Sequence, residues 1–201
     1  MAETLAREQY CTLGLSGGST PKDIYTALGK EKLPWERVRI FLVDERFVGS
    51  DDPRSNQFLL RSTLLRSAPI PEENIVFPDT SLPIAVCVDR YAREIADLFV
   101  QPPDIVILGM GEDGHIASLF PPVDFGKAAL VLHTTTDRFD VHDRISVGVA
   151  CLASARRHLF LLKGKGKGQT WNAMMESREH ADRWPAKALL KEGRTTVITQ
   201  E

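Results

Sequence analysis

Four short segments of this chain concentrate side chains that can bind anions or move protons, and each follows an apolar run. The densest is Gly109-Met110-Gly111-Glu112-Asp113-Gly114-His115, directly after Asp104–Leu108. A histidine two residues beyond an aspartate can act as a general base, with the carboxylate orienting its ring. The plain alternative is a structural histidine bonded to a backbone carbonyl, but the glycine-rich setting at a strand's end favours catalysis. Gly109, Gly111 and Gly114 also match G-x-G-x-x-G formally, and Asp137 falls at the loose spacing of a ribose-binding acid. A dinucleotide fingerprint opens a full helix, however, whereas Pro121-Pro122 arrives after only Ile116-Ala117-Ser118-Leu119-Phe120. That reading also leaves the histidine and two carboxylates without a purpose.

The other three segments carry anion-binding chemistry. Ser16-Gly17-Gly18-Ser19-Thr20-Pro21 precedes a helical pattern, so Pro21 suits the first turn and Ser19 or Thr20 can cap it. Its glycines admit close backbone approach and free amides favour an anion, which makes it a phosphate cradle or an ordinary strand-to-helix turn. It is not a Walker loop, because no Gly-Lys-Ser/Thr follows. Val38–Val43 runs into Asp44-Glu45-Arg46, three adjacent charges that are costly to bury without partners or a ligand. Asp44 could act as an acid/base or orienting group and Arg46 could bind a phosphate or an oxyanion; an ion pair on a solvated loop is the alternative. Asp51-Asp52-Pro53-Arg54-Ser55-Asn56 reads as a loop with a helix cap. Lys163-Gly164-Lys165-Gly166-Lys167 suits a phosphate at a helix start, or a solvated basic turn. Arg144 adds a cation of open orientation.

The elements that must hold these segments are legible as an alternation. Expected strands are Tyr10–Leu15, Val38–Val43, Asn74–Phe77, Asp104–Leu108, Leu130–Thr134, Ile145–Ala150, His158–Leu162 and Thr195–Thr199. Expected helices are Pro21–Leu28, Ser55–Leu65, Val88–Phe99, Lys167–Glu176 and a short Ala186–Lys191. Near-continuous apolar strands such as Ile105-Val106-Ile107-Leu108 suit a parallel sheet covered on both faces. The fold class is therefore α/β, an open, mostly parallel twisted sheet with ligands bound beyond the strands' carboxyl ends.

Composition narrows the function. The 201 residues are 43% hydrophobic and 26% charged, enough for one sizeable core without staples. A net charge of −2 and a pI near 6.2 leave no basic footprint, so neither nucleic acid nor membrane is an expected partner. No apolar run approaches the ~18 residues of a membrane span, and the opening residues lack a signal-peptide core. Three well-separated cysteines, Cys11, Cys87 and Cys151, suggest buried thiols in a reducing compartment, hence a cytoplasmic protein. His133, His142, His158 and His180 show no metal-ligand spacing, so no metal site is expected. Neither Ser118 nor Cys151 sits in a G-x-S-x-G elbow.

Taken together, the segments resemble the 6-phosphogluconolactonase family of the pentose phosphate pathway. The likeness rests on Ser16–Pro21, Val43-Asp44-Glu45-Arg46-Phe47-Val48, Ser55-Asn56, Leu108 through Pro121, Arg144-Ile145-Ser146 and the Gly164-x-x-Lys167 segment. It implies a sheet flanked by helices on both faces and hydrolysis of 6-phospho-D-glucono-1,5-lactone to 6-phospho-D-gluconate. It also implies that His115 is the general base and that Asp113 holds its imidazole. Gly17, Gly18, Ser19, Thr20 and Lys167 would hold the phosphate, with Arg46 nearby for phosphate or oxyanion, and Asp44 and Arg144 at the substrate. The partner implied is a phosphorylated sugar lactone, with no cofactor and no obligate protein partner.

A related hexosamine-6-phosphate deaminase/isomerase family shares the first loop and a glycine-rich loop ending in histidine. It carries a glutamate where Phe120 stands and a tyrosine where Arg46 stands, and both departures point to the lactonase. A third reading is a phosphosugar-binding regulator that has lost catalysis. Residues 1–201 are expected to form one domain, short at its N-terminus, since only fifteen residues precede Ser16. Val141-His142 stand where the family commonly has Pro-Pro.

Overall fold

The computed structural model describes residues 1–124, 129–190 and 193–200. In chain order its strands are β1 (Cys11–Leu15), β2 (Val38–Leu42), β3 (Asp44–Arg46), β4 (Ile75–Val76) and β5 (Ile105–Leu108). They continue as β6 (Val131–Thr135), β7 (Asp143–Val147), β8 (Arg157–Lys163) and β9 (Thr195–Gln200). The helices are α1 (Ala2–Arg7), α2 (Lys22–Leu28), α3 (Asn56–Ser62), α4 (Ile84–Leu98), α5 (Val149–Ser154) and α6 (Lys165–Glu176).

Six strands form a parallel sheet in the order β4-β2-β1-β5-β8-β9. Alternating side chains explain why both faces are covered. Ile40 and Leu42 of β2 join Leu13 and Leu15 against Tyr25 of α2 and Leu60 of α3. Phe41 between them points the other way, into a cluster with Val106, Leu108 and Phe160. Cys87, Tyr91 and Ile95, spaced four apart along α4, cover that second face together with Leu152 of α5 and Met174 of α6. Leu5 of α1 joins the first face. Two buried tyrosines tie down strand ends, with Tyr25 Oη donating to the Ser16 carbonyl at 2.8 Å and Tyr91 Oη to the Leu42 carbonyl at 2.6 Å.

From β1 the sheet grows through β2 in one direction and through β5 in the other. The loops after β1 and β5 therefore part at that point and open a crevice beyond the strands' carboxyl ends, where α/β sheets bind ligands. A second, antiparallel sheet of order β3-β7-β6 closes one side of the crevice.

Several expected elements differ. Residues 44–46 form β3 rather than a loop, because β7 supplies them with a partner. The run Leu130–Thr134 is strand β6 of the smaller sheet. The expected strand Ile145–Ala150 ends at Val147: Gly148 is the N-cap of α5, and a Cβ there would stand 2.1 Å from the Ala129 carbonyl oxygen. An apolar run of that length does not distinguish strand from helix. The helix expected over Ser55–Leu65 breaks after Ser62 into a 3-10 turn at Leu64–Arg66. The helix expected over Val88–Phe99 starts earlier, at Ile84. The strand expected over Asn74–Phe77 shrinks to two residues. A 3-10 turn, Pro185–Leu189, replaces the helix expected over Ala186–Lys191, whose last residue lies outside the described residues.

Cys11 and Cys87 are buried and unpaired, and burial pushes both thiols up to about 11. Cys151 is half-buried rather than buried. Among the described residues no helix is long and apolar enough to cross a membrane.

Candidate active site

The crevice is a cleft of about 590 Å³ lined by Ser16–Ser19, Gly109–Asp113, His115, Asp44, Arg46, Arg144 and Lys167, among others. Nine of the ten candidate residues line it, and Thr20 stands behind Lys167.

The turn after β5 is built to bring an imidazole back onto a carboxylate. Gly111 N–H donates to the His115 carbonyl and Gly114 N–H to that of Gly111, each at 2.9 Å, and Gly114 holds φ at +90°. A Cβ on Gly111 would lie 2.2 Å from His115 Nδ1 and 2.7 Å from Asp113 Oδ1, so this position admits only glycine without a shift. The result is a 2.5 Å contact between His115 Nδ1 and Asp113 Oδ1. An ionised carboxylate only accepts, so Nδ1 carries a proton and, in the neutral ring, Nε2 is left with the free lone pair. Burial alone would raise the Asp113 pKa. The bond and charge of His115, its backbone N–H and the Arg138 guanidinium outweigh burial and hold it well below the usual carboxylate range.

Beyond His115 the chain turns through Ala117, a non-glycine at φ +48°, and closes with Leu119 N–H donating to the Ile116 carbonyl at 2.9 Å. The turn delivers Ser118, whose Oγ donates to Asp44 Oδ2 at 2.6 Å. Asn56 Nδ2 donates to the Asp44 carbonyl at 2.8 Å. Asp44 is thereby fixed from two elements.

Glu45, the residue between the two candidates of β3, faces away from the cleft and is fully buried. Its carboxylate accepts from Arg46 N–H and Asn56 N–H at 2.7 Å, Gln57 N–H at 2.8 Å and Ser55 Oγ at 3.0 Å. Two of these donors belong to the first turn of α3, where backbone N–H groups lack helical partners. Glu45 therefore locks β3 to α3 and sets the direction of its neighbours. Burial pushes its pKa up to about 7 against the pull of those four bonds.

Arg46 and Arg144 are direct partners across the β3–β7 pair. Like charges so placed repel and favour an anion between or beside them. Arg144 is 6% exposed, and burial together with the Arg46 charge pushes its pKa down. It is oriented by its Nε donating to the Val141 carbonyl at 2.9 Å, while Arg46 Nη1 donates to the Arg54 carbonyl at 2.6 Å. Arg46 Nε is buried without a hydrogen-bond partner.

The opposite wall carries another cation. Lys167, in the first turn of α6, donates from Nζ to Thr20 Oγ1 at 3.1 Å and so joins the two glycine-rich loops. Burial lowers its pKa, with Glu112 pulling the other way. Lys163 and Lys165 face solvent. Thr20 thus meets Lys167 instead of capping α2. Pro21 occupies that N-cap, where no side chain makes a capping bond. Ser55 does cap α3 as expected, accepting from Phe58 N–H at 3.2 Å.

Glu45, Asn56, Ser118 and Arg138 were not singled out as site residues from the sequence. Glu45, Asn56 and Ser118 lie within the segments that carry the family resemblance, and Glu45 is also the middle member of a charge triplet at a strand's end, whereas Arg138 left no signal. Among the described residues no three His, Cys, Asp or Glu side chains gather in a way that could hold a metal ion.

The profile of the family described as glucosamine-6-phosphate isomerases/6-phosphogluconolactonase matches residues 1–198. A Dictyostelium discoideum protein named a probable 6-phosphogluconolactonase is 36% identical, over 100% of this chain and 89% of its own length. The crystal structure of a Thermotoga maritima 6-phosphogluconolactonase superposes with a TM-score of 0.91 at 32% identity, covering 99% of this chain and 89% of that one. The fold is also that of a monomeric glucosamine-6-phosphate deaminase, with a TM-score of 0.87 at 24% identity over 100% and 89% of the two chains.

Proposed function

Since the chain belongs to the glucosamine-6-phosphate isomerase/6-phosphogluconolactonase family, we propose that it hydrolyses 6-phospho-D-glucono-1,5-lactone to 6-phospho-D-gluconate by His115-assisted attack of water. It is a hydrolase of the lactone ester. The observation that carries the mechanism is the 2.5 Å pairing of His115 with Asp113 at the edge of a cleft whose walls hold four cations, Arg46, Arg138, Arg144 and Lys167.

His115 Nε2 takes a proton from water, and the resulting hydroxide attacks the ring carbonyl carbon. The carbonyl π pair moves onto oxygen, giving a tetrahedral oxyanion that the cleft's cations and amides stabilise. Collapse re-forms the carbonyl and breaks the bond to the ring oxygen, which takes the proton back from the imidazolium. Asp113 stabilises that imidazolium and fixes the ring, while remaining ionised itself. No side-chain nucleophile is needed, because the lactone is already a reactive ester.

Two cationic poles suit a substrate charged at its phosphate and gaining negative charge at its carbonyl as the reaction proceeds. Lys167, Thr20 and the Gly17–Ser19 amides form one pole and hold the phosphate. Arg46 and Arg144 form the other and face the reacting carbonyl and the carboxylate product. Phe120, centred 4.9 Å from the His115 ring, offers no proton relay for ring opening, which favours lactone hydrolysis over deamination. Three unpaired cysteines among the described residues suit a reducing, cytoplasmic setting.

Lactonase and deaminase assays on the parent and on His115→Asn test this reading. The parent should hydrolyse the phosphorylated lactone, and the variant should lose about two to four orders of magnitude in kcat while still binding 6-phosphogluconate. The spontaneous hydrolysis rate is subtracted at each pH. Near-parent kcat in a folded His115→Asn variant would overturn the mechanism. Deaminase activity alone, or phosphosugar binding without turnover, would overturn the function.

A further inference from the structure

Asp113 divides its two carboxylate oxygens between two partners. Oδ1 meets His115 Nδ1 at 2.5 Å, and Oδ2 accepts from Arg138 Nη1 at 3.0 Å. Arg138 lies 25 residues further along the chain, in the connection between β6 and β7. That connection is organised. Thr136 N–H donates to the His142 carbonyl at 3.1 Å, and Arg138 N–H donates to Thr136 Oγ1 at 3.2 Å. The next residue, Phe139, sets its ring 5.6 Å from that of His115 and 6.2 Å from that of Phe120. The connection therefore folds back over the turn after β5 and touches both members of the His–Asp pair.

We propose that Arg138 is a positioning residue for the proton-transfer step, acting through Asp113 on His115. The inference rests on the reading of His115 as the general base. A carboxylate bonded through one oxygen can still swing about its Cβ–Cγ bond, and a donor on the second oxygen fixes its plane. Arg138 also acts by charge. The carboxylate favours the imidazolium, and a guanidinium on its far side offsets that preference, leaving more of the imidazole free to accept a proton at a given pH. Without Arg138 the base form requires a higher pH, so the acid limb of the rate profile moves up.

The other charges facing the pair stay in place when Arg138 is changed. Glu112 lies in the same turn, and Lys167 projects from α6. Asp44, Arg46 and Arg144 face the cleft from the smaller sheet. Arg183 donates to the Asp113 backbone carbonyl at 2.9 Å from the segment after α6. Within the connection itself, Asp137 pairs with His142 at 3.0 Å, and Asp140 is exposed. The Arg138 side chain is 66% exposed, so its charge is partly screened and its influence falls with added salt.

The test is the pH dependence of kcat/KM for the phosphorylated lactone in the parent, Arg138→Gln, Arg138→Lys and His115→Asn. Arg138→Gln should shift the acid limb upward by about 0.5 pH unit at low ionic strength, and less in high salt. Its plateau kcat should fall about 3–10-fold with KM within about 2-fold. Arg138→Lys should return the limb close to the parent position, because the charge is restored. An unmoved limb in Arg138→Gln, with His115→Asn inactive, overturns the role of Arg138 and leaves the general base standing. A raised KM with an unmoved limb makes Arg138 a substrate contact instead. Activity in His115→Asn overturns both readings.

Discussion

Lys167 and the Arg46–Arg144 pair are held under different constraints, and the difference decides what each substitution should do to the proposed anion binding. Lys167 is held by a single neutral partner, Thr20 Oγ1 at 3.1 Å, so its ammonium has donors to spare for a phosphate. Each arginine donates to a backbone carbonyl that fixes its guanidinium, and the two repel across the β3–β7 pair. Lys167→Ala should therefore act on binding, raising KM for the phosphorylated lactone by about 1.5–3 kcal/mol, the worth of a hydrogen bond to a charged group. Unphosphorylated glucono-lactone should be a poor substrate for the parent and respond little to the change. Steady-state kinetics on both lactones decide it, since equal losses on the two would place Lys167 in structure or chemistry.

At the scale of elements, the glycine turn after β5 controls the geometry of the His–Asp pair more tightly than either side chain does. Its two 2.9 Å backbone bonds return residue 115 to residue 111, and the absence of a Cβ at Gly111 leaves the space in which imidazole and carboxylate meet. In Gly111→Ala the methyl group collides with both, and one of them must move. The expected outcome is a kcat reduced about 10²-fold, as a misplacement near 1 Å can do, with phosphate affinity kept because α2 and α6 are untouched. Comparing kcat with 6-phosphogluconate binding in this variant checks the expectation. Unchanged kcat would show that the turn yields without disturbing the pair.

For the whole molecule, Glu45 links the joint between the two sheets to pH. Burial raises its pKa from 4.5 to about 7, so the unfolded chain releases this proton at lower pH than the folded protein does. The stability it contributes is complete below about 4.5 and is lost as pH rises through about 7, in all roughly 3 kcal/mol. Asp113 acts in the opposite sense. Its pKa is depressed, so its contribution is present above 3.8 and is lost as pH falls further. From these two groups, stability should be greatest near pH 4–5 and decline toward neutrality. Urea unfolding at a series of pH values measures the slope. Glu45→Gln should flatten it, although its amide would turn a donor toward backbone N–H groups and lower stability throughout. A slope unchanged in Glu45→Gln would assign the pH dependence to other groups.

The local order of the chain settled a good part of this protein by itself. Apolar runs such as Ile105–Leu108 require burial on both faces, which calls for a parallel sheet with helices on each side. Glycine-rich loops after Leu15, Leu108 and Leu162 mark the carboxyl ends of that sheet, the side on which open α/β sheets bind ligands. The pairing of Asp113 with His115 was legible too, because two residues and two glycines suffice to make it. What the tertiary structure decided were the contacts that neighbours in sequence cannot specify. β3 became a strand only because β7 lay beside it, and that pairing set Arg46 against Arg144. Lys167 reached Thr20 across 147 residues, and Arg138 reached Asp113 across 25. The sites of Ser118 on Asp44 and of the Glu45 carboxylate against the first turn of α3 are likewise products of packing between elements. The physical reason is range: backbone propensity and hydrophobic period act within a turn or a strand, while side chains from distant segments meet only where two layers are pressed together.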